Sequence, residues 1–458
     1  RPHQVLYGAR LISAVAGVAA VACVSVAARI AGLLPWQCWL AGMMLAVSPL
    51  HVQSSRYAKP DILATFAICV ALIGVAGMWR TCRAQPFSPS PSPPAPPVVP
   101  ATPSFRRWLT LAAVASGGAA ACKYNAGLVI LAPLVVLATS GRPLRTLAVD
   151  VGWCAGISLL SFLAPLMLVG GGLDPLFQGL HHEWTHYRND GHGGYDTATA
   201  GRDALRQLAL VAWGVLPTLV ALGGLASAWK HRATPRARLA LALVLTGAAS
   251  AFLVSIQTVF FARVLLPLLP LLALWTVLAL GWLWPKASQK PWLVAGVCGL
   301  FLAQSAWMSF AQTAAVARPD TRVVAGEWLT QNLAQTRRLA LLPGGYQAPI
   351  GVNRRRYQAV GHPTLKRLRL RGFSHAVVSS SGTTRYLAHP KRFPEQVAEI
   401  TSWRAELTTE ATLLRRFEAP AIPGARVFGS TFELYHSPTI EVFDLRPPTS
   451  ASRSEPAP

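Results

Sequence analysis

The sequence predicts a polytopic α-helical membrane protein of about ten spans that ends in a small α/β domain. Of its 458 residues, 52% are hydrophobic and 13% are charged. The apolar residues fall in long blocks rather than in the alternating pattern of a soluble core. After Gln312 the composition changes to that of a soluble domain. These three observations exclude an ordinary soluble protein.

A membrane span needs ~20 predominantly apolar residues, and kinked spans can be shorter. On that rule ten segments are predicted to be spans: 11–33, 36–50, 62–79, 108–121, 125–140, 148–169, 207–228, 239–258, 264–284 and 292–311.

The positive charges indicate an orientation. Lys and Arg residues concentrate in alternate loops, which the positive-inside rule assigns to the cytoplasm: Arg80, Arg83, Arg106, Arg107, Arg142, Arg145, Lys230, Arg232, Arg236, Arg238, Lys286 and Lys290. The net charge of +24 is thereby explained without nucleic acid as a partner. The protein is therefore expected in the inner (cytoplasmic) membrane, with its C-terminal domain extracytoplasmic.

The predicted domains are a membrane domain at 1–311, an α/β domain at 312–447 and a disordered tail at 448–458. The membrane domain contains a Pro-rich cytoplasmic loop at 84–104 and an external loop at 170–206. In the α/β domain, Asp320 is a predicted helix N-cap. Three strands are predicted at RLALL, HAVVSS and TIEVFDL, with helices near 363–370 and 394–408.

One polar turn stands out in the membrane domain. In the stretch SPLHVQSSRYAKPDILATFAICVA, charged residues lie between two apolar helices, which marks a candidate site. Asp61 follows Pro60 at a helix start, so its carboxylate is either an N-cap or orients a substrate group beside Lys59 and Arg56. Arg56 and Lys59 are predicted to bind phosphate.

Two further cations are predicted on the outer face. Lys123 separates two short apolar runs, so a hairpin is expected with Lys123 and Tyr124 at its outer tip. Arg263 precedes a Pro-containing span. Snorkelling to the interface would explain either cation. Contact with a lipid phosphate or a sugar is the functional alternative.

The external loop contains His181, His182, Glu183 and His186, and HHEWTH matches H-E-x-x-H. A zinc protease would need this motif on a helix over a cleft, with a third ligand. Substrate binding by His182 and His186 is the preferred interpretation, and no metal ligand is assigned.

Several segments together, in order, resemble the bacterial family 39 membrane glycosyltransferases, relatives of the dolichyl-phosphate-mannose protein mannosyltransferases and lipid A aminoarabinose transferases. They are SPLHVQSSRYAKPDILATF, CKYNAGLVILAPLVVLA, HHEWTHY, ARVLLPLLPLLAL and DTRVVAGEWLTQNL. The resemblance implies the GT-C fold and inverting transfer of a sugar from a polyprenyl-phosphate donor. The acceptor would be a glycan, lipid or protein at the outer face. No cofactor is firmly implied, and a divalent metal stays an open alternative.

The same resemblance implies that Lys59, Lys123 and Arg263 stabilise the departing lipid phosphate. It places the carboxylate base in a first external loop, often as Asp-Glu, and no such motif precedes Leu11. A base upstream of Arg1 is therefore expected, with Asp61 and Glu183 as the candidates within the chain, which by itself is expected to be inactive. A transporter or flippase of lipid-linked saccharides is the alternative function, followed by a membrane zinc protease.

Overall fold

The computed structural model describes residues 2–83, 103–168, 173–185, 200–231, 234–257, 261–284, 290–333, 338–342, 348–352, 357–361, 364–387, 390–418 and 437–446. The predicted disordered tail, His186 and nearly all of the predicted Pro-rich loop lie outside these residues. Contacts divide the chain into two compact units, a membrane unit that runs to Ser309 and a C-terminal unit that begins at Phe310.

The membrane unit is built from helices. They are α1 (Pro2–Ile30), α2 (Pro35–Ala46), α3 (Pro49–Ser54), α4 (Asp61–Arg83), α5 (Pro103–Cys122), α6 (Leu131–Ala138), α7 (Leu144–Leu168), α8 (Asp174–Thr185), α9 (Ala200–Gln207), α10 (Val215–Lys230), α11 (Pro235–Ser255), α12 (Leu268–Leu283) and α13 (Pro291–Val316). Short 3-10 helices at Tyr124–Ile130 and Ala262–Leu265 precede α6 and α12, and a π-helix at Leu208–Ala212 follows α9. Each of the ten predicted spans falls on a helical segment.

Fewer segments meet the requirements of a full membrane span. Among the described residues, five helical segments are long and apolar enough to cross a membrane: Tyr7–Ile30, Asp61–Cys82, Leu144–Leu168, Arg236–Ser255 and Pro291–Asn332. Arg202–Leu210 and Val215–Lys230 together would make a sixth span, bent by 108°. The apolar helices Tyr124–Ala138 and Leu268–Leu283 are shorter. The prediction of a polytopic α-helical membrane protein is confirmed, whereas the count of about ten spans exceeds the number of long apolar helices.

Charged clusters lie at opposite ends of the antiparallel helices α4 and α5. At one end, Asp61 begins α4 and Lys123 follows the last residue of α5. At the other end, Asp150 on α7 accepts a 2.6 Å hydrogen bond from Arg142 and lies 3.9 Å from Arg106. Arg106 and Arg142 therefore lie near the same carboxylate of α7.

Helices α4 and α5 approach closely because their facing residues are small. A Cβ atom on Gly74 of α4 would lie 2.7 Å from both the Trp108 carbonyl oxygen and the Ala112 amide nitrogen of α5. A larger side chain would force the two backbones apart. This contact therefore fixes the distance between the helix ends that carry Asp61 and Lys123.

The C-terminal unit contains a five-stranded mixed sheet. Its strands are β1 (Leu339–Leu342), β2 (Tyr357–Ala359), β3 (His375–Ser379), β4 (Thr412–Phe417) and β5 (Ile440–Asp444), and its helices are α14 (Thr321–Asn332), α15 (Leu365–Leu370), α16 (Thr384–Leu387) and α17 (Pro394–Glu410). The strand order is β2-β1-β3-β5-β4. Strand β1 pairs in parallel with β2 and β3, whereas β5 pairs antiparallel with β3 and β4. The predicted α/β architecture is confirmed.

Apolar clusters cover both faces of this sheet. On one face, Phe443 of β5 belongs to the cluster that includes Leu368 and Trp403 of the neighbouring helices. On the other face, Val442 packs with Leu329 of α14. Strands buried on both faces are expected to be almost entirely apolar, which explains why β1, β3 and β5 were predictable. Asp320 caps α14 as predicted, accepting the Arg322 backbone N–H at 2.9 Å.

Candidate active site

A cavity of about 630 Å³ opens in the membrane unit at the end of α4 and α5 that carries Asp61 and Lys123. It is lined by Lys59, Pro60, Asp61, Ala121, Cys122, Lys123, Tyr124, Asn125, Leu128, Leu180, Glu183, Trp184, Leu253, Ile256, Gln257, Arg263 and Val264. Segments far apart in sequence therefore meet at one concave surface. A cavity with apolar walls and a few convergent polar groups is the usual form of a ligand site.

The ion pair of Asp61 and Lys123 lies at the centre of the polar wall. The Lys123 ammonium donates a hydrogen bond to Asp61 Oδ1, and the two side chains are 19% and 8% exposed. Lys123 has extended backbone angles (φ −161°, ψ 118°), which end α5. Asp61 lies in the first turn of α4, where a carboxylate also interacts favourably with the helix dipole. Both interpretations proposed for Asp61 are therefore compatible with its position.

The chain turns back on itself after Lys123. A Cβ atom on Gly127 would lie 2.8 Å from the Ala120 Cβ of α5, so the 3-10 helix packs against the helix that precedes it. The hairpin predicted from the two short apolar runs is present. Tyr124, next to its tip, makes an edge-to-face contact with Phe162 of α7 at 6.3 Å between centroids.

Helix α8 closes the cavity over Tyr124. A Cβ atom on Gly179 would lie 3.1 Å from the Tyr124 hydroxyl oxygen, so the glycine permits a close approach of helix and phenol. Leu180, Glu183 and Trp184 of this helix line the cavity. The sequence predicted an external loop here, and the loop contains an amphipathic helix.

Two further cations line the cavity, and an aromatic ring lies beside each of them. The Lys59 ammonium is 5.7 Å from the centroid of the Tyr57 ring, and the Arg263 guanidinium is 4.6 Å from that of Phe261. Such contacts favour a cation near a ring face. Arg263 and Glu183 line the same cavity as Lys123.

The formal charge of this polar wall is positive. The described lining residues carry three cationic side chains and two carboxylates, which leaves a net charge of one positive. Because a membrane-embedded cavity screens charge less than bulk water does, this excess favours an anionic ligand.

Two predicted site residues in the described part of the chain do not line the cavity. Arg56 is half-buried in the turn before Lys59, and His182 is exposed on α8. His186 lies outside the described residues, so the H-E-x-x-H motif cannot be assembled from them. In the described part of the chain, no group of three or more His, Cys, Asp or Glu side chains could hold a metal ion.

Sequence reasoning missed two carboxamides on the cavity wall, Asn125 and Gln257. Asn125 directly follows Lys123 and Tyr124, and Gln257 lies two residues beyond the end of α11. Both stand at the ends of apolar runs, and a polar residue there is usually a span boundary. No local signal distinguishes these two residues from ordinary span ends, so sequence reasoning alone could not identify them.

Comparison with known proteins finds a family match in the first part of the chain. Residues 2–167 match the family described as dolichyl-phosphate-mannose-protein mannosyltransferase (PMT). The match contains Lys59, Asp61, Lys123 and Tyr124, and it confirms the predicted resemblance. It indicates that this multi-pass membrane protein is a glycosyltransferase.

Solved structures are similar to this chain over most of its length. ArnT from Cupriavidus metallidurans bound to undecaprenyl phosphate has 16% sequence identity and a TM-score of 0.46, with coverage of 98% of this chain and 85% of that chain. The apo oligosaccharyltransferase from Archaeoglobus fulgidus has 13% identity and a TM-score of 0.48, with coverage of 83% and 59%. No curated protein matches the chain.

Proposed function

We propose that the protein transfers a sugar from a polyprenyl-phosphate donor to an acceptor at the outer face of the cytoplasmic membrane, with inversion. The positively charged cavity at the Asp61–Lys123 end of the membrane unit carries this proposal. The family name, with its dolichyl-phosphate-mannose donor, and the undecaprenyl phosphate of the ArnT structure support a lipid-phosphate ligand.

The charge of the cavity suits the leaving group of such a reaction. A lipid-phosphate sugar is a phosphodiester with one negative charge. When the bond between the sugar C1 and the phosphate oxygen breaks, the departing monoester can carry up to two, because its second pKa is ≈ 6. Lys59, Lys123 and Arg263 would therefore bind the product phosphate more strongly than the donor phosphate. Such differential binding accelerates the step that breaks the bond.

The reaction also needs a base that accepts the proton of the acceptor hydroxyl as its oxygen bonds to C1. The resemblance assigns that base to an acidic residue of a first external loop. Within this chain, Glu183 is better placed than Asp61, because Lys123 already binds the Asp61 carboxylate. Glu183 is an exposed residue of α8 and lines the cavity.

Binding of undecaprenyl phosphate tests the proposal directly. The chain would be reconstituted in lipid nanodiscs, and its affinity would be compared with those of Arg263→Met and Lys59→Met. Loss of a charge-assisted hydrogen bond costs ~1.5–3 kcal/mol, so roughly 10- to 100-fold weaker binding is expected. Lys230→Met is the matched control, since Lys230 is exposed at the end of α10, outside the cavity lining.

Equal affinities for the cavity variants and the control would refute the phosphate assignment. A second measurement separates transfer from transport. Radiolabelled sugar should move from the lipid phosphate onto an acceptor in the presence of the enzyme, whereas a flippase would move the intact lipid across the bilayer without breaking the bond.

A further inference from the structure

Two residues that line the candidate active site carry a side-chain amide oxygen without a hydrogen-bond partner. Asn125 lies in the 3-10 helix next to Lys123, and Gln257 lies beyond the end of α11 on the way to Arg263. Both residues line the cavity. The side-chain oxygen of each is shielded from solvent, and neither oxygen has a hydrogen-bond partner.

Unpaired buried oxygens of this kind reduce stability. A buried acceptor without a partner loses the hydrogen bonds it makes to water in the unfolded chain, at a cost of ~1–3 kcal/mol. Native proteins pair most such groups, so exceptions call for an explanation. Other unpaired buried atoms occur elsewhere in the chain, for example in Trp36 and Thr276. Asn125 and Gln257 differ from these because they share a cavity with Lys123 and Arg263.

The chemistry of a carboxamide indicates which part of a ligand it binds. Its carbonyl oxygen repels phosphate oxygens, which have no hydrogen to donate. A hydroxyl group both donates and accepts, so it satisfies a carboxamide in either orientation. The terminal torsions of Asn and Gln are soft, so a small rotation brings the oxygen towards a ligand.

We propose that Asn125 and Gln257 bind hydroxyl groups of the sugar on the lipid phosphate and thereby select the sugar. This inference rests on the proposed function, because it takes the phosphate to be bound by Lys123 and Arg263. In the donor the sugar is joined directly to the phosphate, so a phosphate at these two cations leaves the sugar beside the adjoining carboxamides. A site built to bind a hydroxyl discriminates strongly against an analogue that lacks it.

The test uses two substitutions that keep the side-chain volume and remove the hydrogen-bonding groups, Asn125→Leu and Gln257→Met. Affinity is measured in nanodiscs for bare undecaprenyl phosphate and for undecaprenyl phosphate carrying mannose. We expect each variant to bind the bare lipid within about twofold of the wild type and the mannose lipid roughly tenfold more weakly. Leu222→Met is the control: Leu222 is exposed on α10, outside the cavity lining, and its replacement should change neither affinity.

A melting measurement distinguishes this role from a structural one. Because each oxygen is unpaired, replacing it by an apolar group should leave the melting temperature unchanged or raise it. A clear fall in melting temperature for both variants would overturn the proposal. A double-mutant cycle with mannose lipids that each lack one hydroxyl group adds a further check. Removing the hydroxyl that a carboxamide binds should weaken binding to the wild type but should not further weaken binding to the variant that lacks that carboxamide.

The remaining outcomes separate this inference from the function on which it rests. Suppose that the wild type binds bare undecaprenyl phosphate. If the variants then bind both lipids equally more weakly, or bind both as well as the wild type does, the assignment of Asn125 and Gln257 to the sugar is wrong and the phosphate site stands. The assignment is also wrong if the wild type binds undecaprenyl phosphate carrying mannose, glucose or galactose no more tightly than the bare lipid. If the wild type does not bind undecaprenyl phosphate at all, the proposed function itself fails.

Discussion

The Asp61 carboxylate, in the first turn of α4, accepts a hydrogen bond from the Lys123 ammonium, which follows the last residue of α5. This ion pair joins two helices on the wall of the cavity and leaves both side chains mostly buried. It can therefore serve the fold, by linking α4 to α5, and the site, by fixing a cation where a phosphate would bind. Substitutions of the two residues separate these roles.

Lys123→Met should destabilise the protein by about 3 kcal/mol, because it leaves the Asp61 carboxylate buried without its partner. The double variant Asp61→Asn with Lys123→Met removes that uncompensated charge and should recover most of the lost melting temperature. It should still bind undecaprenyl phosphate at least tenfold more weakly than the wild type, since the cation is absent. Wild-type affinity in the double variant would show that Lys123 acts on structure alone.

The buried ion pair at the opposite end of the helices should be purely structural. Asp150 is fully buried and accepts a 2.6 Å hydrogen bond from Arg142, whose guanidinium lies 3.6 Å from the centroid of the Phe105 ring. Arg142→Met should therefore cost ~3–5 kcal/mol, since an unpaired buried carboxylate remains. Thermal unfolding in detergent measures the change.

Arg106→Met is the matched control for that substitution. Arg106 lies 3.9 Å from the same carboxylate, and its side chain is 55% exposed. Exposed pairs contribute ~0–1 kcal/mol, so the melting temperature should change little. A similar loss in both variants would contradict the assignment of Arg142 as the principal partner of Asp150.

Much of this architecture was predictable from local sequence. Long apolar runs predict α1, α4, α7 and α11. Strands β1, β3 and β5 are predictable from their apolar residues, because both of their faces are buried. Strands β2 and β4 were not predicted. β2 has three residues and β4 contains Arg415 and Arg416, and edge strands are commonly short or charged.

The candidate site was predicted residue by residue but not as a constellation. Local pattern identified Lys59, Asp61, Lys123 and Arg263, because each is a charge beside an apolar run. The pairing of Asp61 with Lys123 depends on the close contact of α4 and α5 through Gly74, and one sequence carries no direct record of such a contact. Asn125 and Gln257 carry no charge, so nothing local distinguished them from span ends.

A substitution at the α4–α5 contact should disturb the site from a distance. In Gly74→Val the new side chain would meet the backbone of α5, and overpacking of this kind costs ~1–3 kcal/mol. Separation of the helices should also weaken undecaprenyl phosphate binding, because Asp61 would no longer hold Lys123. Gly152→Ala on α7 is the control, since a Cβ atom there has nothing within 4 Å. Unchanged binding in Gly74→Val would mean that the ion pair does not depend on this contact.

The C-terminal unit offers a prediction on pH. Partial burial of Asp444 by itself raises the pKa of its carboxyl, but hydrogen bonds from the Arg446 side chain and backbone N–H outweigh burial and hold that pKa below its ordinary value. A lowered pKa in the folded state adds stability at pH values above the ordinary Asp pKa of about 3.9, and that stability is lost as the pH falls through the folded value.

Asp444→Asn should therefore destabilise the C-terminal sheet near neutral pH and have progressively less effect below about pH 4. Hydrogen exchange of the β3 and β5 amides in the full chain measures this locally, because Asp444 pairs with His375 between those strands. Glu418→Gln is the control: Glu418 forms an exposed pair with Arg416 at 3.5 Å, which should contribute little at any pH. A deficit in Asp444→Asn that stays constant from pH 7 to pH 3 would show that the residue stabilises the sheet through packing rather than through its charge.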